Sequence, residues 1–235
     1  MKKYQILTLS LALIITVIVA LTLLQPANAE NRKNLPSSEK VKLPEPNLKS
    51  NISIEETLLN RRSVRGFSDF PMTLKQVSQL LWAGQGITNP RGFRTAPSAG
   101  ATFPLELYVV INNVDGVGKG VYKYNPKENE IIKVRDGDML AELTESALQQ
   151  TWVKEAAIII VIAADYERTT GRYGERGIRY VHMEVGHVAQ NISLQGVALN
   201  LSMTVIGAFR DAEIKKILNM PENENPLYII PIGNK

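Results

Sequence analysis

Cysteine is absent from all 235 residues, which removes disulfides, thiolate metal sites and cysteine nucleophiles together. Histidine is almost absent, with only His182 and His187. They stand in the order His182-x-Glu184-x-x-His187. A helix turns about 500° over that interval and leaves the two rings about 140° apart. A shared zinc ion needs both on one face, so this is not a zinc-protease motif. Ser98 lacks the strand–turn–helix setting of a nucleophile elbow, which sets serine hydrolysis aside. Gly116-Val117-Gly118-Lys119-Gly120 lacks phosphate-loop spacing and runs into a strand, so it reads as a turn. Charge of one sign is scarce: the net is +4, and without residues 1–29 it is 25 basic against 23 acidic side chains. No nucleic-acid partner follows from that balance, and the chain carries no internal repeat. What is present is ordinary globular composition, 44% apolar and 21% charged, sized for one large or two small domains.

The first 29 residues differ from the rest. Lys2-Lys3 precedes an uncharged apolar run from Ile6 to Leu24, and Ala27-Asn28-Ala29 supplies a small-x-small cleavage pattern before Glu30. The run is long for a signal peptide and nearly long enough to cross a bilayer. Two readings stand: a cleaved export signal, or a retained N-terminal anchor that is the protein's only membrane contact. Both place the remaining chain outside the cytoplasmic membrane, secreted or extracytoplasmic. Residues 30–50 are polar, contain Pro36, Pro44 and Pro46, and read as a linker ahead of a domain over 51–235.

Within that domain, Ser53 with Glu56 predicts a capping box for a helix over 54–61, and Thr73 caps a second helix to Trp82. Leu105–Ile111 reads as a strand, and Val121–Tyr124 and Ile131–Val134 as a strand pair. A helix is expected over 139–149. Ala156–Ala164 is nearly all apolar, as in a strand buried on both faces. The longest helix is expected over 173–200, with Ile178, Val181, Val185, Val188, Ile192 and Leu199 at three- and four-residue intervals. Small residues among them suit a subunit interface or a planar ligand, and equally a buried core helix. A strand at Met203–Ile206, a helix at Asp211–Leu218 and a strand at Leu227–Ile232 complete an α+β layout.

The chemistry concentrates in Arg61-Arg62-Ser63-Val64-Arg65-Gly66-Phe67. Guanidinium forks bind phosphate oxygens bidentately and stay charged at any working pH. On an extended segment Arg61, Ser63 and Arg65 share one side and Arg62 faces the other. A solvated basic loop is the plain alternative. A second stretch, Arg94-Thr95-Ala96-Pro97-Ser98-Ala99-Gly100-Ala101 followed by Pro104-Leu105-Glu106-Leu107-Tyr108-Val109-Val110, accompanies it. In this order and spacing the two resemble the nitroreductase-like flavoprotein family, most of all its azoline dehydrogenase branch, and the similarity runs from about Leu43 to the C-terminus.

The resemblance implies a central mixed sheet flanked by helices, a long central helix at a dimer interface, and FMN bound between two subunits. Arg61, Ser63 and Arg65 would hold phosphate and ribityl oxygens, and Arg62 would reach the isoalloxazine edge. Pro97, Ser98, Ala99 and Gly100 match a loop that contacts the ring from the partner subunit; small residues there let backbone approach a flat ring. Gln150, in Gln-x-Trp, matches an amide that bonds the ring. Gly207 and Ala208, within Val205–Phe209, match the turn that meets flavin N5, and Lys235 is the one candidate for a basic residue after the last strand. Arg179-Tyr180 falls where azoline dehydrogenases carry Lys-Tyr, so Tyr180 is the candidate acid–base group, with simple packing as its alternative. The expected activity moves a hydride or electron pair between flavin N5 and a small-molecule or peptide substrate. Reduced nicotinamide or another donor supplies the electrons, and no metal is required. A flavin carrier without turnover is the rival.

Overall fold

The computed structural model describes residues 39–235, which form one compact unit. The signal or anchor over 1–29 and the first part of the linker lie outside the described residues. No helix among the described residues is long and apolar enough to cross a membrane.

A seven-stranded sheet organises the unit, in the order β1-β4-β3-β2-β5-β7-β6. The strands are β1 (Lys40–Lys42), β2 (Leu105–Ile111), β3 (Gly120–Asn125), β4 (Glu130–Asp136), β5 (Ile158–Asp165), β6 (Leu201–Met203) and β7 (Glu224–Asn234). Every ladder is antiparallel. Parallel pairing, expected in a mixed sheet, is confined to the isolated bridge Met72–Val114. β1 extends the sheet edge by pairing with β4, and Leu43 beyond it is buried. The folded unit therefore takes in residues that read as linker in isolation, because a partner strand rather than local periodicity decides that segment.

β5 shows why the sheet has helices on both faces. Its eight residues are all buried, and side chains alternate along a strand. Ile158, Ile160 and Ile162 join a core with Val77, Leu80 and Leu81 of α2 (Leu74–Gln85) and Val181, Val185, Val188 and Ile192 of α5 (Arg176–Ala198). Ile159 and Val161 turn to the other face, against Leu143 of α3 (Leu140–Ser146) and Ile214 and Ile217 of α6 (Asp211–Ile217). Each such side chain contributes about 1.5–3 kcal/mol on full burial.

The helix caps follow the sequence. Ser53 accepts from the Glu56 amide at the start of α1 (Ile54–Asn60), and Thr73 with Gln76 makes a reciprocal capping box on α2. Two helices are shorter than expected. α3 ends at Ser146 because Leu148 and Gln149 take positive φ values of 58° and 62°. The long helix expected over 173–200 spans Arg176–Ala198 as α5, and Gly174, with φ of 58°, separates it from a short helix not expected from the sequence, α4 (Glu167–Tyr173). That break turns the chain and sets Tyr173 beside Tyr180.

Candidate functional site

α5 carries two groups of functional side chains toward its opposite ends. At its C-terminal end the chain turns into β6, and the Val64 amide donates to the Met203 carbonyl at 2.9 Å. This pins the arginine segment against the sheet edge. Phe67 packs on Gly233, where an added Cβ would come within 2.9 Å of the Phe67 Cβ, and the Ser68 amide donates to the Asn234 carbonyl. Lys235 follows directly, so it lies at the same end. The Arg65 guanidinium sits over the Trp152 ring, 5.3 Å from its centroid. Two residues earlier, Gln150 Nε2 donates to the Ala147 carbonyl and, at 3.1 Å, to the Ala208 carbonyl. Ile206 is held by Ile229, leaving Gly207 and Ala208 exposed beside it. Arg65, Trp152, Gln150, Gly207 and Ala208 thus form one continuous surface.

Donors on that surface are unspent. Among the described residues no carboxylate pairs with Arg61, Arg62 or Arg65, although Arg135, Arg168 and Arg210 all have acidic partners. The Trp152 indole Nε1 is buried with no acceptor. The Arg65 cation, left without a carboxylate beside an orphaned indole N–H, suits an acceptor-rich, anionic ligand. Ser63 is exposed beside them. Arg62 behaves differently from the expected ring-edge contact: its Nη1 bonds the carbonyls of Leu59 and Arg61, at 3.0 and 2.8 Å, and closes the end of α1.

The second group lies toward the N-terminal end of α5. Ser98 Oγ accepts from the Phe103 amide at 2.9 Å, and the Gly100 carbonyl accepts from Arg172 Nη1 at 3.1 Å. Gly100 has φ of 60°, and a Cβ there would fall 2.6 Å from the Tyr173 hydroxyl. Tyr173 meets Tyr180 edge-on, with centroids 5.2 Å apart and planes at 87°. Tyr180 therefore belongs with the Pro97–Gly100 loop. The cation over its ring is Arg176, at 5.8 Å, rather than Arg179.

Glu184 lies beneath this loop, and the sequence reading passed over it. Only 3% of its surface is exposed, and Oε1 has no hydrogen-bond partner. Burial pushes its carboxyl up to about 7, opposed by Ser98 and by Arg94. Arg94 is itself engaged elsewhere, bonded to Gln85 and lying 4.7 Å over the Phe103 ring. The Gln85 amide nitrogen is a second buried orphan. A signal was available: Glu184 occupies a core position of the period running through Val181, Val185 and Val188.

The two groups do not meet within one chain. Glu184 and Ala198 are fourteen residues apart on α5, about 21 Å along a helix rising 1.5 Å per residue. The histidines form no metal site: both are exposed, and His182 Nε2 lies 2.7 Å from the Tyr166 hydroxyl. No group of potential metal ligands occurs among the described residues.

The chain is similar to known proteins over most of its length. The nitroreductase family is matched over residues 58–234. A Methanocaldococcus jannaschii protein named for nitroreductase is 50% identical over 184 residues, 78% of this chain and 92% of that protein. The trifolitoxin operon protein TfxC of Rhizobium leguminosarum is 27% identical over 89% of this chain and 62% of its own length. The NADPH-flavin oxidoreductase of Vibrio harveyi is 25% identical over 76% of this chain and 64% of its own length. Among solved structures, one from Anabaena variabilis, also named for nitroreductase, superposes with a TM-score of 0.75 at 28% identity, over 86% of this chain and 43% of that one.

Proposed function

The chain belongs to the nitroreductase family, and from that premise we propose that it is an exported, FMN-dependent oxidoreductase that works as a homodimer. The observation that carries the reading is the unspent donor surface of Arg65 and the Trp152 indole, continuous with Gln150 and Gly207–Ala208. These residues fit FMN. Arg61, Ser63 and Arg65 would hold its phosphate and ribityl oxygens, Gln150 would bond the ring, and exposed Gly207 and Ala208 leave room for a flat group to approach backbone. When bound, FMN supplies the two-electron redox chemistry, and the protein supplies placement and electrostatics.

The dimer is supported by what one chain leaves bare. Ile54 and Leu58, one turn apart on α1, form an exposed apolar stripe on a helix that packs against α5. Covering that face with a second copy gives the Pro97–Gly100 loop of one subunit a route to the arginine surface of the other, which a single chain lacks. Ser98 then offers a hydroxyl and Gly100 a close backbone approach, and Tyr180 would hold or move a substrate proton. Substrates are small molecules or peptides; the peptide class rests on the resemblance to azoline dehydrogenases and on the likeness to a trifolitoxin operon protein. Reduced nicotinamide is the first electron donor to test, given the NADPH-flavin oxidoreductase relative. Export follows from the Ala27–Ala29 cleavage pattern.

The decisive experiment is the absorbance spectrum of the purified protein before and after anaerobic addition of reduced nicotinamide. A flavin spectrum that bleaches is the expected result, and a colourless protein that does not take up FMN overturns the reading. The Arg61→Ala, Arg65→Ala double variant should lose about 10²–10⁴-fold in FMN affinity, since charge-assisted hydrogen bonds contribute about 1.5–3 kcal/mol each. Unchanged affinity removes the phosphate assignment.

A further inference from the structure

The Pro97–Gly100 loop runs on through three left-handed residues. Gly100, Ala101 and Phe103 have φ of 60°, 53° and 46°. Glycine adopts this region freely, whereas the Cβ of Ala101 and of Phe103 makes it costly. Such a conformation persists only where the surroundings over-determine it. Ser98 supplies part of the hold: its hydroxyl accepts from the Phe103 amide at 2.9 Å and its carbonyl from the Ala101 amide at 3.1 Å. The rest comes from α4. Arg168 Nη1 donates to the Phe103 carbonyl at 3.1 Å, and Arg172 Nη1 donates to the Gly100 carbonyl at 3.1 Å. Between them the Thr169 and Thr102 hydroxyls lie 2.8 Å apart; Thr102 gives its own proton to the Ala99 carbonyl, so Thr169 is the donor of the pair. Arg168, Thr169 and Arg172 fall within about 100° of the α4 circumference, so one helix face grips the loop at three points. That helix is itself fixed. A Cβ on Gly177 would come within 2.9 Å of Thr170 backbone atoms, so α4 and α5 meet backbone to backbone, and Arg168 also pairs with Glu106 on β2 at 2.7 Å.

We propose that Arg168, Thr169 and Arg172 are positioning residues for the flavin site, with α4 acting as a clamp that holds residues 98–103 in their left-handed form. That form is the one that presents Ser98 and the Gly100 backbone to the ligand. The three side chains act through the loop rather than on the ligand. Released from the clamp, Ala101 and Phe103 relax toward negative φ, and the loop spends part of its time in a shape that does not fit. Apparent FMN affinity then falls in proportion to the fraction of chains that remain competent. The inference deepens the FMN reading and rests on its placement of this loop against the flavin. Thr169 is the sharpest point of the clamp, since it is 1% exposed and its hydroxyl has no solvent to replace the lost partner.

The test is FMN affinity, together with the visible circular dichroism of the bound flavin, measured on the full-length protein and its variants. Thr169→Val and Arg172→Gln should each weaken FMN binding about 3–10-fold and shrink the dichroism, as the loss of one hydrogen bond to the loop requires. Thr169→Ser keeps the hydroxyl and should match the parent in both. Adding Ala101→Gly to Thr169→Val should recover most of the lost affinity, because glycine takes the left-handed form without the clamp. A merely structural role for Thr169 would not be rescued in this way. Parental affinity and dichroism in Thr169→Val overturn the inference and leave the cofactor reading intact. Equal losses in Thr169→Ser and Thr169→Val overturn it too, as does a loss that Ala101→Gly leaves in place. If Thr169→Val does not fold, Arg172→Gln carries the test with the same rescue, since Arg172 is exposed. No FMN binding by the unaltered protein overturns both readings.

Discussion

Two glutamates, Glu224 and Glu184, are each exposed by only 3%, and their surroundings are opposite. Glu224, at the start of β7, accepts from the Tyr108 hydroxyl and pairs with Lys123. Lys123 also reaches Glu106, at 3.5 Å; Arg168 lies 2.7 Å from Glu106 and 3.4 Å from Asp165, to which Asn223 donates. Every charge in this knot is answered by another. The Tyr108 phenol shows the cost, held far above its ordinary range by burial first and then by its bond to Glu224. Glu184, on α5, has an empty oxygen, a busy arginine and an orphaned amide nearby. Equal burial therefore says little about role. A buried charge whose partners are all supplied holds strands together, and one left short is a candidate for work.

The largest effect expected from breaking this contrast comes at Glu224. Removing one member of a buried pair strands the others, and Glu224→Ala leaves the Tyr108 hydroxyl without an acceptor and Lys123 with one distant partner. The pair is partly screened, since 27% of the Lys123 side chain is exposed, so a loss of about 3 kcal/mol is expected. Thermal denaturation should show a fall of about 6–12 °C for a domain of this size. FMN affinity of the folded fraction should not change. A variant as stable as the parent would mean the knot contributes nothing.

Glu184→Gln should move stability the other way, and only above mildly acidic pH. The carboxyl is raised from 4.5 to about 7 by burial, against the pull of Ser98 and Arg94. Below about pH 4 both folded and unfolded chains carry the proton and the group has no effect. As pH rises from there, the unfolded chain ionises first, so the folded state loses stability until about pH 7 and then levels off. The neutral amide avoids that loss. Glu184→Gln should be more stable than the parent by about 3 kcal/mol at pH 8 and indistinguishable at pH 4. A variant destabilised equally at both pH values would show that Glu184 is held as an ordinary structural carboxylate.

The same contrast explains how far the sequence could be read. β5 was legible because an apolar run with β-branched residues has few other fates, and the starts of α1 and α2 because Ser53 and Thr73 act within one turn. The arginine segment stood out because residue type alone sets its chemistry. What resisted was decided at a distance. β1 exists because β4 lies beside it, and α4, a seven-residue helix ahead of Gly174, has no apolar period of its own. Arg62 folds back on carbonyls that its alternation with Arg61 and Ser63 does not reveal. Glu184 and Arg94 are ninety residues apart in sequence, and neither betrays the other.

The smallest expected effect separates the shape of the loop from the charge beneath it. Gly100 takes φ of 60°, a left-handed conformation that costs a residue with a Cβ about 1 kcal/mol. Its Cβ would also stand 2.6 Å from the Tyr173 hydroxyl and 2.8 Å from Arg172 Nη1, both ends of flexible side chains that can give way. Gly100→Ala should therefore lower stability by about 1 kcal/mol, a shift of about 2–4 °C. Moving Arg172 loosens its bond to the Gly100 carbonyl, so the loop meets the ligand less well and FMN affinity should fall by about fivefold, or about 1 kcal/mol. A folded variant with unchanged FMN affinity would place the loop outside the flavin contact altogether.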